Sequence, residues 1–126
     1  MDTTRLPPDF REFLKSFLAH EVRFLVIGGY AASFYGQMRN TATLDVWIAS
    51  QVENRRRAIQ ALRELAFPSV PDTLLDNPDD IVRMGVPPLR IEILQSISGV
   101  GFDACWPNRA FLQDGELSVP MISLPD

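Results

Sequence analysis

The stretch FLVIGGYAASFYGQMRNTATLDVWI, residues 24–48, decides how this chain folds. Phe24 to Ile27 are all apolar and run into Gly28-Gly29, the pattern of a short buried strand. Residues 43–48 alternate instead. Leu44, Val46 and Ile48 share one face of a strand, and Thr43, Asp45 and Trp47 share the other. Between the two, GYAASFYG predicts a brief helix closed by Gly36, with Ala31 and Ala32 small enough to lie close to a sheet. Asp45 is the one carboxylate of this stretch, on a strand whose other polar position of that face is a threonine.

Ahead of this unit, PPDFREFLKSFLAHE places Phe10, Phe13, Leu14, Phe17 and Leu18 at i, i+3, i+4, i+7 and i+8. That spacing predicts an amphipathic helix, and Pro7, Pro8 and Asp9 suit its start. Beyond it, SQVENRRRAIQALRELAF opens with Ser50 and Glu53 at capping-box spacing and carries Ile59, Leu62 and Leu65 on one stripe. Residues 68–80 are turn-rich and read as a loop. IVRMG (81–85) and LRIEILQS (89–96) read as strands joined by VPP; in the second, Leu89, Ile91 and Ile93 face one way and Arg90 and Glu92 the other. The tail ELSVPMISLPD holds one more strand, with Pro120 arguing for an edge or a bulge. Helix, strand, short helix, strand, helix, strand hairpin and strand make an α/β (α+β) fold, a small mixed sheet flanked by helices, in a single domain over 1–126.

Composition sets outer bounds. The chain has 126 residues and a net charge of −4, so a global basic footprint for nucleic acid is missing. No apolar run has the length of a membrane span, and the N-terminus lacks a signal-peptide layout, so a cytoplasmic location is expected. One cysteine, Cys105, excludes an internal disulfide, and with His20 as the lone histidine a Cys/His zinc site is excluded by count. Cys105 reads as a buried small hydrophobe beside Trp106, and His20 as a capping or surface residue at a helix end. Arg55, Arg56 and Arg57 are the only basic cluster; consecutive helical residues fan around the axis, so they read as a solvated helix face.

Asp45 and Glu92 lie on the polar faces of two strands, and Gly28-Gly29 ends a third. Two carboxylates on neighbouring strands, beside a glycine-rich strand-to-helix turn, suit a hard cation and a phosphate. The plain alternatives are a strand-end Asp45 at the surface and a Glu92 paired with an arginine. Spacing alone leaves these open.

FLVIGGYAASFYGQMRNTATLDVWI, then ENRRRAIQALRELAF, then VRMGVPPLRIEILQSISGVGFDACW, resembles the minimal nucleotidyltransferase superfamily, in its AbiEii-like, toxin-associated branch. The resemblance spans roughly residues 22–124. It implies a strand ending in paired glycines, two acids separated by one residue, and a third acid on a later strand, the three holding two metal ions. Carried over, Gly28 and Gly29 match the glycines, Asp45 the second acid, and Glu92 the third. Arg39 and Thr41 match a basic-x-Thr lead-in. Thr43 stands where the first acid is expected.

What the resemblance implies is Mg²⁺- or Mn²⁺-dependent transfer of a nucleoside monophosphate from a nucleoside triphosphate to a hydroxyl of RNA, such as tRNA, or of protein. Asp45 and Glu92 would be catalytic metal ligands, and Gly28, Gly29, Arg39 and Thr43 would contact the nucleotide. Thr43 offers a neutral oxygen where a carboxylate is expected, which implies impaired transfer or a degenerate member that only binds a nucleotide or a protein. Relatives of this kind continue into a basic C-terminal helix and have antitoxin-like partners. The same resemblance therefore implies a fragment or shortened chain, and an apolar face prone to homo-oligomer formation.

Overall fold

Strand alternation and helix periodicity build one six-stranded mixed sheet with helices packed on it. The computed structural model describes residues 6–27, 43–65, 69–85, 90–97 and 99–123. In chain order these contain α1 (Pro8–Ala19), β1 (Phe24–Ile27), β2 (Thr43–Ile48), α2 (Val52–Leu65), β3 (Val82–Met84), β4 (Arg90–Leu94), α3 (Phe102–Cys105) running into a 3₁₀ turn (Trp106–Asn108), β5 (Ala110–Asp114) and β6 (Leu117–Met121). The sheet order is β3-β4-β2-β1-β6-β5. β1 runs antiparallel to β2 and parallel to β6; β2 runs parallel to β4; β3–β4 and β5–β6 are antiparallel hairpins. Gly28, Gly29, Arg39, Thr41 and the expected short helix over GYAASFYG lie outside the described residues.

Two apolar layers sandwich the sheet. On one side Phe10, Phe13, Leu14 and Phe17 of α1 and Ala58, Ile59, Ala61 and Leu62 of α2 bury against Val26, Leu44, Val46 and Ile93. On the other, Leu25, Trp47 and Ala49 pack with Phe102. β1 thus contributes to both layers, as its unbroken apolar run requires. Each fully buried large apolar side chain contributes about 1.5–3 kcal/mol relative to exposure.

Local details confirm some expectations and correct others. α1 begins at Pro8 with Asp9 in its first turn. His20 caps its end: Nδ1 bonds the Ser16 carbonyl at 2.9 Å and Nε2 meets Glu64 Oε2 at 3.0 Å, linking α1 to α2. The Ser16 carbonyl, then Glu64, raise the His20 pKa above its ordinary value. The stability this adds is therefore present at acidic pH and fades as pH rises through neutrality. Cys105 is partly rather than fully buried, at the margin of the Trp47–Phe102 layer.

α2 begins at Val52, where Arg55 N–H bonds the Gln51 carbonyl, so the helix starts one residue later than a Ser50 cap would set it. Buried Asn54 ties this end down instead. Its Oδ1 accepts from Arg23 N–H at 2.7 Å, and its Nδ2 donates to the Arg23 carbonyl at 3.1 Å and the Ala49 carbonyl at 2.8 Å. One amide thus joins the start of β1, the end of β2 and the first turn of α2. Asn54→Ala takes away the side-chain partner of the Arg23 N–H and of the Ala49 carbonyl, while the Arg23 carbonyl keeps the Ala49 N–H at 3.2 Å, and we expect it to cost about 2–3 kcal/mol in urea unfolding. A loss below about 0.5 kcal/mol would mean that water replaces the amide.

The expected order lacked β5 and the helical segment before it. Gly115-Glu116 form the two-residue turn of the β5–β6 hairpin, closed by the Asp114–Leu117 pair, and Gly115 has φ +62°, the left-handed region that the first position of such a turn demands. The placement of Pro120 is also corrected. β6 lies inside the sheet, between β1 and β5, and β3 and β5 form the edges. Proline is accommodated because the ladder to β1 is registered at Val26–Met121 and continued by Ile122 N–H on the Val26 carbonyl, just past the residue lacking an N–H.

Candidate functional site

β2 and β4 are parallel neighbours whose register sets Thr43 beside Arg90, Asp45 beside Glu92 and Trp47 beside Leu94. Partners in register point to the same face, with strands about 4.8 Å apart. Asp45 and Glu92 therefore stand side by side. The row continues both ways: Arg83 of β3 is registered with Glu92, and Ile27 of β1 with Asp45. Across four strands it reads Arg83, Glu92, Asp45, Ile27.

The row one step toward the C-terminal ends of β2 and β4 is apolar, with Leu25, Trp47 and Leu94. The row on the other side carries Thr43 and Arg90. This face is thus greasy at one end, where Phe102 meets the Trp47 ring edge-on at 5.2 Å, and charged at the other.

Asp45 is half-buried and has no hydrogen-bond or ion-pair partner among the described residues. Glu92 is engaged: Arg83 Nε donates to its Oε2 at 3.2 Å. Burial, and then the Glu92 charge, push the Asp45 carboxyl from its ordinary 3.8 up to about 6. The folded protein therefore holds a proton on Asp45 that the unfolded chain has released between about pH 4 and pH 6. Stability falls across that window as pH rises. Solvent at this half-exposed group reduces the effect to about 1 kcal/mol above pH 6. Asp45→Asn should abolish that slope. We expect the variant to gain about 1 kcal/mol over the parent at pH 7.5 and nothing at pH 4, by urea denaturation at both. An equal gain at both pH values would show that charge is not the cause.

As a cation site, the donor set is two carboxylate groups on one face, one without a partner among the described residues and one paired with the Arg83 guanidinium. That suits a hard divalent ion completed by water or phosphate oxygens, since Mg²⁺ commonly takes one or two carboxylates plus phosphate. Among the described residues no group of three or more acidic, histidine or cysteine side chains forms a metal cluster. Thr43, where the resemblance expects the first acid, is registered with Arg90, so among the described residues this face carries two carboxylates rather than three.

Of the residues expected at the site, the fold brings together Asp45, Glu92 and Thr43, while Gly28, Gly29 and Arg39 lie outside the described residues. Sequence reasoning placed Arg90 on the Glu92 face but missed Arg83. The strand segment that carries Arg83 was visible, but not the register that sets it beside Glu92.

The arginine cluster belongs elsewhere. Arg56 and Arg57 are exposed, and Arg55 donates to the Leu75 carbonyl at 3.2 Å. Arg55, Ile59, Arg63, Leu75 and Asp76 help line a groove of about 480 Å³. It flanks α2, on the opposite layer from Asp45. Arg63 is spent on Asp72 at 2.8 Å and on the Val70 carbonyl, so this groove is a seam that pins the 70–76 loop to α2. No described helix is long and apolar enough to cross a membrane. Compared with known proteins, the chain matches no family model, no curated protein and no solved structure.

Proposed function

We propose that Asp45 and Glu92 hold one divalent cation, Mg²⁺ or Mn²⁺, against the phosphates of a nucleoside triphosphate, in a protein of the nucleotidyltransferase type. The reading rests on one observation above all: two carboxylates in register on adjacent parallel strands, on a half-buried face, with Asp45 left unpaired among the described residues. Like charges directly across a ladder destabilise a sheet, and a bound cation offsets that cost. The reaction class is attack of an RNA or protein hydroxyl on the α-phosphorus. A new P–O bond forms, the bond to the β-phosphate breaks, pyrophosphate leaves with the electron pair, and the hydroxyl proton passes to solvent.

A bound divalent ion supplies charge neutralisation and orientation for such a displacement. The chain's own residues do the rest. Asp45 and Glu92 fix the ion's position through strands rather than loops, and Trp47 and Phe102 form the apolar floor beside them. Thr43 can lend a hydroxyl oxygen but no charge. With Arg90 beside it in place of a third carboxylate, transfer is slow, and the same observation favours a second reading in which the protein binds nucleotide or a partner protein without turnover. A cytoplasmic location, a tRNA or protein acceptor and an antitoxin-like partner belong to this proposal.

Calorimetry tests it. A nucleoside triphosphate with Mn²⁺ should bind the parent protein, and Asp45→Asn and Glu92→Gln should each weaken binding about tenfold or more with unchanged circular dichroism. No heat from the parent at millimolar nucleotide would remove both nucleotide readings.

A further inference from the structure

Glu92 already has a cation. Arg83 stands beside it in register, on β3, the edge strand of the sheet, and its Nε lies 3.2 Å from Glu92 Oε2. The Arg83 side chain is 59% exposed, against 22% for Glu92. The acid sits within the sheet; the guanidinium lies at its solvent-exposed rim. Asp45, one strand further in, has no such partner among the described residues. The row therefore carries one internal positive charge for two negative ones, and that charge sits on the outer carboxylate.

We infer that Arg83 is an exchangeable counter-ion: it occupies Glu92 until a divalent cation bridges Glu92 and Asp45, then turns its guanidinium to a phosphate of the incoming nucleotide. This rests on the cation-site reading above and assigns Arg83 as a positioning residue. A lysine ammonium would meet a phosphate only as a point charge. A guanidinium released beside the cation keeps a planar fork of donors suited to phosphate oxygens. Because β3 is an edge strand, the side chain swings toward solvent without crossing another strand.

The exchange predicts effects of opposite sign at one residue. Arg83→Gln removes the competing charge, so Mn²⁺ alone, read as loss of the free-ion electron paramagnetic resonance signal, should bind about three- to tenfold tighter. The same variant should bind nucleotide to the Mn²⁺-loaded protein about fivefold or more weaker by calorimetry, because a charge-assisted contact is lost. Arg83→Lys should keep the weak Mn²⁺ binding and recover only part of the nucleotide affinity. Glu92→Gln is the control. If the parent binds Mn²⁺ through Glu92 and Arg83→Gln leaves that affinity unchanged, or shifts ion and nucleotide the same way, the exchange is overturned while the cation site stands. If the parent, Arg83→Gln and Glu92→Gln all bind Mn²⁺ equally weakly, the cation site and the exchange fall together.

Discussion

Thr43→Asp should raise nucleotide transfer by about two orders of magnitude, equivalent to roughly 2.7 kcal/mol of transition-state stabilisation at ~1.36 kcal/mol per decade. Thr43 sits two residues before Asp45 on the same face of β2, so its side chain projects next to the Asp45–Glu92 pair. A carboxylate there adds a charged oxygen ligand where the parent offers a hydroxyl. A hard ion with strict geometry gives up its waters reluctantly, and an anionic ligand displaces them far better than a neutral one. Arg90, registered with position 43, moderates the gain because it would share the new charge. The variant also places two acids on one strand beside a third, so it should lose about 1 kcal/mol of stability in the absence of divalent ions and regain it when they are added.

Incorporation of α-labelled nucleotide into tRNA and into protein, with Mg²⁺ and with Mn²⁺, measures the first effect; urea midpoints with and without Mn²⁺ measure the second. A silent parent beside an active variant would mark the chain as a binding protein one substitution from catalysis. Should the variant neither transfer nucleotide nor respond to Mn²⁺, the two-carboxylate cation site is wrong.

Trp47→Ala should be the most damaging single truncation in the apolar layer beside the site, at about 3–5 kcal/mol. Trp47 is 1% exposed, stands edge-on to Phe102 at 5.2 Å, and anchors a layer much smaller than the one beneath α1 and α2. A small layer has few neighbours to relax into the cavity left by an indole. The loss is a large share of the 5–15 kcal/mol of net stability typical of a domain.

Trp47→Phe separates packing from polarity. The Trp47 Nε1 is buried with no hydrogen-bond partner among the described residues, so the indole carries a donor that none of them satisfies. Phenylalanine keeps the ring contact and removes that donor, and should cost less than about 1.5 kcal/mol. Urea unfolding of both variants checks the pair. If alanine and phenylalanine cost the same, the ring contributes little and the layer is held from elsewhere.

Much of the scaffold was legible because it depends on short-range periodicity. Phe10, Phe13, Leu14 and Phe17 are buried along α1 as their spacing requires, and the 81–85 and 89–96 segments pair as an antiparallel hairpin. The misses have local or positional causes. The Gly115 turn signal was present, but the run before it, interrupted by Gln113, was too weakly patterned to stand out as β5. Pro120 argued for an edge, yet one-sided bonding at that residue let β6 lie inside the sheet. Asn54 reads in sequence as one polar residue of a charged helix; only the packed structure reveals three backbone partners around it.

The sequence by itself determined which residues share a face. Alternation along residues 43–48 and 90–94 put Thr43, Asp45 and Trp47 together, and Arg90 with Glu92, because successive side chains of a strand point to opposite sides. It could not determine which strand lies against which, or in what register. Tertiary structure decided that β4 pairs parallel with β2 and that Glu92 meets Asp45 while Arg83 meets Glu92. A slip of one residue would have sent the Glu92 carboxylate to the apolar layer under α1 and α2, and the free-energy cost of burying it there, summed over the whole core, is what fixes the register that no local pattern encodes.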